Sequence, residues 1–216
     1  MDVAGRTLLQ RVLDRVRIVP GAALIVATSS SAEDDAIASH AAAENVAVFR
    51  GSLTDVADRA LAAADAFNLS RFARVCADRP FVDPALIVHA LEHSADLGAD
   101  LVTTTRPATS PDGSPSSTVP AGLTTEVIRT DALRELIATT ADLADREHVT
   151  RAFYRFESPF RHILLDAGPD VGTLPLVIDT RADLERARAV MARLGSEPHM
   201  AEVREVARTM ASVVRE

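Results

Sequence analysis

"RFARVCADRPFVDP" (71–84) opens as a short apolar run and stops at a carboxylate. Phe72 to Cys76 reads as a strand, Asp78 ends it, and two proline-containing turns carrying Arg79 and a second acid, Asp83, follow. In open α/β sheets ligands sit beyond the carboxyl ends of the strands, where loops supply polar groups to a crevice. Asp78 therefore stands where a site is expected.

Working outward, apolar runs alternate with stretches of helical period. Upstream lie a helix over 7–18, a buried strand over 22–29, a helix over 31–45 capped by Ser31, a strand over 46–50 and a helix over 54–67. Downstream come a helix over 84–95, a strand over 99–105, a strand over 123–130, helices around 130–140 and 145–156, and a strand "LPLVIDT" (174–180) ending in Asp179. The tail 197–216 has helical spacing, with Val203, Val206, Met210 and Val213 on one side, and reads as a packing or dimer helix. Such a βαβ succession predicts a Rossmann-like α/β domain spanning 1–216, its mixed, mainly parallel sheet covered by helices on both faces. The stretch 106–120, dense in Pro, Ser and Gly, is the one long loop, expected to be mobile and to lie beside the cleft.

Composition narrows the chemistry. With 216 residues and 47% hydrophobic content the chain can bury one substantial core. A formal charge of -8 without a dense basic run argues against nucleic acid or an anionic membrane as the main partner and favours a small-molecule substrate. A single cysteine, Cys76, rules out an internal disulfide and is expected in the core; the compartment expected is the cytoplasm. All 23 basic side chains are arginines, so no lysine of this chain can act in catalysis.

Asp78 and Asp179 both end strands, and two converging carboxylates without a His or Cys cluster suit a hard cation such as Mg²⁺, which normally arrives with substrate phosphates. Spacing alone favours two unrelated turn or cap aspartates, since single Asp residues after strands are common.

Five stretches, "VFRGSLTDVADR" (48–59), "VCADRPFVDP" (75–84), "PAGLTTEV" (120–127), "DREHVT" (145–150) and "LVIDTRADL" (176–184), occur in the order found in bacterial sugar cytidylyltransferases. From Gly5 to about Leu194 the chain resembles the spore coat polysaccharide branch of the family that includes acylneuraminate cytidylyltransferases. The resemblance implies a nucleotide-diphospho-sugar transferase fold and a homodimer that transfers CMP from CTP to an acidic sugar, releasing pyrophosphate. On it, Asp78 and Asp179 would be the catalytic pair holding Mg²⁺. Thr28, Ser29, Arg59 and Arg79 would contact the nucleotide, and Glu126, Arg146, Glu147 and His148 would face the acceptor.

Two features depart from the family pattern. Members open with a strand and a Gly- and Arg-containing phosphate loop ending in Gly-Lys; "MDVAGRTLLQRVLDRV" (1–16) resembles the stretch after that loop, so the chain is expected to begin with a helix. The sheet is then expected to lack a central strand, supplied by a start further upstream or by another polypeptide, or else missing from a degenerate, non-catalytic nucleotide-binding or assembly module. Thr124 also stands where the family's "GLD" pattern has an acid, which bears on the acceptor.

Overall fold

A computed structural model of the chain describes residues 1–165, 175–195 and 202–214. The chain opens with a hairpin, β1 (Asp2–Val3) and β2 (Arg6–Thr7), rather than directly with a helix. Ala4 and Gly5 make its turn at positive φ, 53° and 81°, the region a two-residue hairpin loop requires. Then follow α1 (Leu8–Val16), β3 (Ile25–Ser29), α2 (Asp35–Ala43), β4 (Ala47–Gly51), α3 (Val56–Ala66), β5 (Arg71–Arg74), α4 (Pro84–Leu97) and β6 (Leu101–Thr103). After these come β7 (Thr105–Arg106), β8 (Ser116–Ser117), β9 (Glu126–Arg129), α5 (Thr130–Thr139), α6 (Leu143–Glu147), β10 (His162–Leu164), α7 (Arg181–Leu194) and α8 (Val203–Val214).

Local chemistry sets several of these boundaries. Thr7 caps α1, its hydroxyl accepting from the Gln10 amide. α4 begins with Pro84 at its first position, Asp83 accepting from the Ala85 amide at 2.9 Å, and ends at Gly98 with φ 58°. α7 opens with a reciprocal capping box between Thr180 and Asp183.

The fold class expected from the sequence holds, a mixed sheet with helices on both faces, but the pairing is not mainly parallel, because β9 inserts antiparallel between β6 and β5. The largest sheet runs β10-β6-β9-β5, with β10 parallel to β6 and with β9 antiparallel to both β6 and β5. β3 and β4 form a separate parallel pair. Successive residues of β5 mark the two faces. Ala73 joins the cluster of Val12, Val82 and Ile87, to which α1 and α4 contribute, whereas Phe72 joins Ala57, Ile128, Leu133 and Phe153 from α3, β9, α5 and the turn after α6.

Four expectations need correction. Segment 106–120 is not a structureless loop, because β7 and β8 pair antiparallel and Thr118 donates its hydroxyl to the Thr104 carbonyl at 2.8 Å, leaving 107–115 as a hairpin tip. The helix expected over 145–156 divides into α6 and a 3-10 turn, Arg151–Tyr154, because Val149 adopts φ 44° and breaks the helical run. Residues 175–179 form no strand: two amides bond to separate loops, Leu176 to the Ala121 carbonyl at 2.7 Å and Ile178 to the Asp78 carbonyl at 3.0 Å, so no ladder develops. Leu174 lies outside the described residues, as do 197–201 and 215–216 of the expected C-terminal helix. Cys76, expected in the core, is only half-buried. The strand β10 had no counterpart in the sequence reading.

Within α8, Val206 and Met210 pack into the same cluster as Ala187, Val190 and Met191 of α7, with Val3, Phe81 and Leu176. That helix therefore spends much of its apolar face on its own chain. Among the described residues no helix is long and apolar enough to cross a membrane.

Candidate functional site

The polar groups singled out in the sequence fall into three neighbourhoods at or beyond strand ends. The first lies past β3 and β4. Thr28 and Ser29 are both buried, and both turn to Asp34: the Thr28 hydroxyl and the Ser29 amide each donate to its Oδ2 at 2.9 Å. These bonds, that of the Ser29 side chain first, hold the Asp34 carboxyl below the usual carboxylate range. Arg50 fixes the same corner, donating Nε to the Ser29 carbonyl at 2.9 Å and pairing with Asp35 at 2.5 Å. Arg59 comes from the first turns of α3, donates Nη1 to the Ser52 carbonyl at 2.7 Å and lies close enough for its charge to act on Asp34. Its stem crosses Gly51 so closely that a Cβ there would stand 2.9 Å from Arg59 Cγ. Arg146 joins from α6, 3.3 Å from Asp55, the N-cap of α3.

The second neighbourhood holds both catalytic candidates. The bond from the Ile178 amide to the Asp78 carbonyl ties the two aspartate segments together, so exposed Asp179 follows directly on the junction with Asp78. Gly122 allows this approach. Its φ is +96°, and a Cβ on it would lie 2.6 Å from the Leu176 carbonyl carbon, so the glycine is required twice over. The Asp179 amide donates to Asp183 Oδ2 at 3.3 Å, which anchors it to the start of α7. Arg79 donates Nη1 to the Thr124 carbonyl and hydroxyl, at 3.0 and 2.5 Å. Its Nε faces Asp78 Oδ1 at 3.9 Å, an ion-pair separation too long for a hydrogen bond, and both atoms are buried without a hydrogen-bond partner. Buried polar atoms are nearly always hydrogen-bonded, so these two adjacent atoms mark a place where a ligand can complete the shell.

Glu126 occupies a third, interior position. It is 7% exposed, and in register with Arg74 of β5 on one side and Thr103 of β6 on the other. Its Oε1 accepts from the Thr150 and Tyr154 hydroxyls, each at 2.8 Å, and its Oε2 from Arg74 at 3.0 Å. Burial, the largest influence, pulls the Arg74 pKa down, and the Glu126 charge together with Cys76, the hydrogen bond to Glu126 and Tyr154 offsets it, leaving it raised; burial pushes the Tyr154 phenol up strongly, reinforced by Glu126. Glu126 is thus fully engaged by the protein. Glu147 and His148, at the end of α6, are exposed and belong to none of these three neighbourhoods.

Among the described residues no group of three or more His, Cys, Asp or Glu side chains is placed to hold a metal ion. Asp78 and Asp179 would be the protein's share of such a site. A hard cation with oxygen ligands fits that donor set, since water and phosphate oxygens customarily supply the remainder and Asp78 Oδ1 accepts no hydrogen bond among the described residues. Asp34 and Gly122 escaped the sequence reading. The signal for Asp34 was an acid in the first helical turn after a strand end; the contact that gives Gly122 its role is with a residue more than fifty positions away.

An α/β sheet with polar side chains collected past its strand ends is the arrangement of Rossmann-like nucleotidyltransferases, and solved structures of that class share the fold. A cytidylyltransferase from Leptospira borgpetersenii superposes with a TM-score of 0.88 at 20% identity, covering 100% of this chain and 87% of the other. The CMP:2-keto-3-deoxy-manno-octonic acid synthetase complexed with CTP gives 0.61 at 17% identity, covering 89% and 90%. The family model for cytidylyltransferases matches residues 1–198, and the chain belongs to that family. The spore coat polysaccharide biosynthesis protein SpsF of Bacillus subtilis (strain 168) is 31% identical over 178 residues, 81% of this chain and 69% of that relative.

Proposed function

We propose that this chain transfers CMP from CTP to an acidic or related sugar, with release of pyrophosphate, in the synthesis of a surface polysaccharide or related glycan. The observation that carries the reading is the junction of Asp78 with the Asp179 segment, with Asp78 Oδ1 and Arg79 Nε beside it, both buried without a hydrogen bond among the described residues. The likeness to SpsF supports the glycan context.

The reaction is mainly one of placement and charge neutralisation. An acceptor oxygen attacks the α-phosphorus, the bond to the bridging oxygen breaks, and the electron pair leaves on pyrophosphate; no covalent protein nucleophile is needed. In this reading Thr28, Ser29 and Arg59 line the nucleotide end of the crevice, and Arg79 receives a phosphate or carboxylate oxygen through Nε. Mg²⁺, held by Asp78 and Asp179, would supply charge neutralisation at the phosphates. Arg146, Glu147 and His148 mark the acceptor side, while Glu126 shapes it from below by fixing Arg74 and Tyr154.

The test is pyrophosphate release from CTP with a panel of acidic sugars in the presence of Mg²⁺. Asp78→Asn is expected to lower the rate by about 10²–10³ with an unchanged melting temperature. Equal rates in the variant and the parent chain would overturn the assignment. One observation favours a second reading, a non-catalytic nucleotide-binding module: Arg59 and Arg79 each already spend a guanidinium nitrogen on a backbone carbonyl. Calorimetric binding of CTP without turnover by any acceptor would select it.

A further inference from the structure

We propose that His89 and His93, one turn apart on α4, form a two-imidazole site for a divalent transition-metal ion, Cu²⁺ in preference to Ni²⁺ and Zn²⁺, separate from the hard-cation pair Asp78 and Asp179. The stretch "HALEH" (89–93) sets two histidines at i and i+4, and that spacing puts both side chains on one stripe of a helix. Their ring centroids are 4.1 Å apart, edge to face at 65°. The backbone that carries them is held from its other side. Leu86 and Ile87 are buried, Ala90 packs with Val102 of β6 and Val127 of β9, and the Ser94 hydroxyl accepts from Arg71 of β5 at 3.1 Å. Ligands on a helix fixed in this way lose little freedom when an ion arrives.

The geometry also fixes which nitrogen of His93 is offered. Its Nδ1 lies 2.9 Å from the His89 carbonyl oxygen, and a carbonyl can only accept, so Nδ1 carries the proton and the lone pair of the neutral ring is on Nε2. An imidazole whose second nitrogen donates to a backbone carbonyl is the usual arrangement of a metal-bound histidine. No side chain among the described residues hydrogen-bonds to either ring. His89 is exposed and His93 half-buried, so an ion reaches the pair from solvent. In helices this spacing lets two histidines share one ion at metal–nitrogen distances of about 2.0–2.1 Å. Among the described residues no third His, Cys, Asp or Glu completes the set, so water fills the remaining positions. Imidazole suits the later transition-series ions, whereas carboxylate and water suit Mg²⁺, and among the former the order of affinity places Cu²⁺ above Ni²⁺ and Zn²⁺. This inference does not rest on the proposed reaction.

The experiment is titration of the untagged chain with Cu²⁺, Ni²⁺ and Zn²⁺ in turn, with Mg²⁺ in excess, read by calorimetry and, for Cu²⁺, by the nitrogen hyperfine structure of its electron paramagnetic resonance spectrum. One Cu²⁺ should bind per chain with a Kd below about 100 μM, and Ni²⁺ and Zn²⁺ more weakly. His89→Ala and His93→Ala should each weaken Cu²⁺ binding at least about tenfold while keeping the parent's circular dichroism spectrum, and His89→Gln, which keeps a polar side chain on the exposed stripe, should lose as much. The proposal is overturned by no Cu²⁺ binding up to about 1 mM, by an affinity that any of these variants leaves unchanged, or by a spectrum showing oxygen ligands alone. It is overturned equally if Zn²⁺ binds more tightly than Cu²⁺ or if Mg²⁺ displaces the copper ion.

Discussion

The sheet β10-β6-β9-β5 and the pair β3–β4 are both built from short strands with apolar residues, yet they end in different environments. In the first, β6 and β9 have a neighbour on each edge and helices on each face, and even the carboxylate of Glu126 is 7% exposed. In the second, β3 has one neighbour among the described residues, and Ala27 at its centre is exposed. Burial of a strand is therefore decided by what lies beside it in the sheet as much as by what covers it. The polar side chains divide in the same way. Those of the larger sheet, Arg74, Glu126 and Tyr154, satisfy one another, whereas those past β3 and β5, including Asp78 and Arg79, keep groups in reserve.

The largest effect expected from this contrast is at Glu126. Glu126→Ala should cost about 3 kcal/mol in a urea titration, because it strands the buried Arg74 charge and two hydroxyls at once. On β3, Ala27→Ser should stay within about 0.5 kcal/mol. Comparable losses at the two positions would break the distinction between a closed and an open strand.

Gly122→Ala comes next, with about 1–3 kcal/mol of destabilisation expected from the positive φ and the 2.6 Å approach to Leu176. Because the displaced segment carries Asp179, pyrophosphate release should fall as well, and further than the loss of stability accounts for. A variant that is destabilised but turns over normally would detach the Asp179 segment from the site.

The smallest effect is at Asp34, which anchors the ends of Thr28 and Ser29. Its folded carboxyl lies below the usual value near about 4, so its contribution is fully present above that pH and disappears as pH falls through the lower folded value. Partial solvent screening keeps the contribution below about 1 kcal/mol. Asp34→Asn should therefore lower the denaturant midpoint at pH 7 and converge on the parent chain at low pH. A gap between the two that persists unchanged to low pH would show that charge is not the cause.

Much of the fold was legible in the sequence, and the legible part is local. The alternation of apolar runs with helical periods located eight helices and strands between 7 and 105, because a helix cap such as Thr7 or Asp83 acts within three residues of itself. Where local signals were thin the reading failed. His162–Leu164 is three residues long and becomes a strand only by pairing with Leu101–Thr103, sixty positions earlier. The run 175–179 has strand composition, but its amides find partners on two different loops.

The site divides along the same line. By itself the sequence determined which residues stand at or just past strand ends, Thr28, Ser29 and Asp78 among them, and through its motifs that the chain is a cytidylyltransferase family member. Tertiary structure alone decided which of those groups remain available. Glu126 is saturated by partners from β5 and the turn after α6, whereas Asp78 Oδ1 is buried and accepts no hydrogen bond among the described residues. The physical reason is that hydrogen-bond satisfaction depends on donors brought together from distant parts of the chain, and neither composition nor spacing records which donors will arrive.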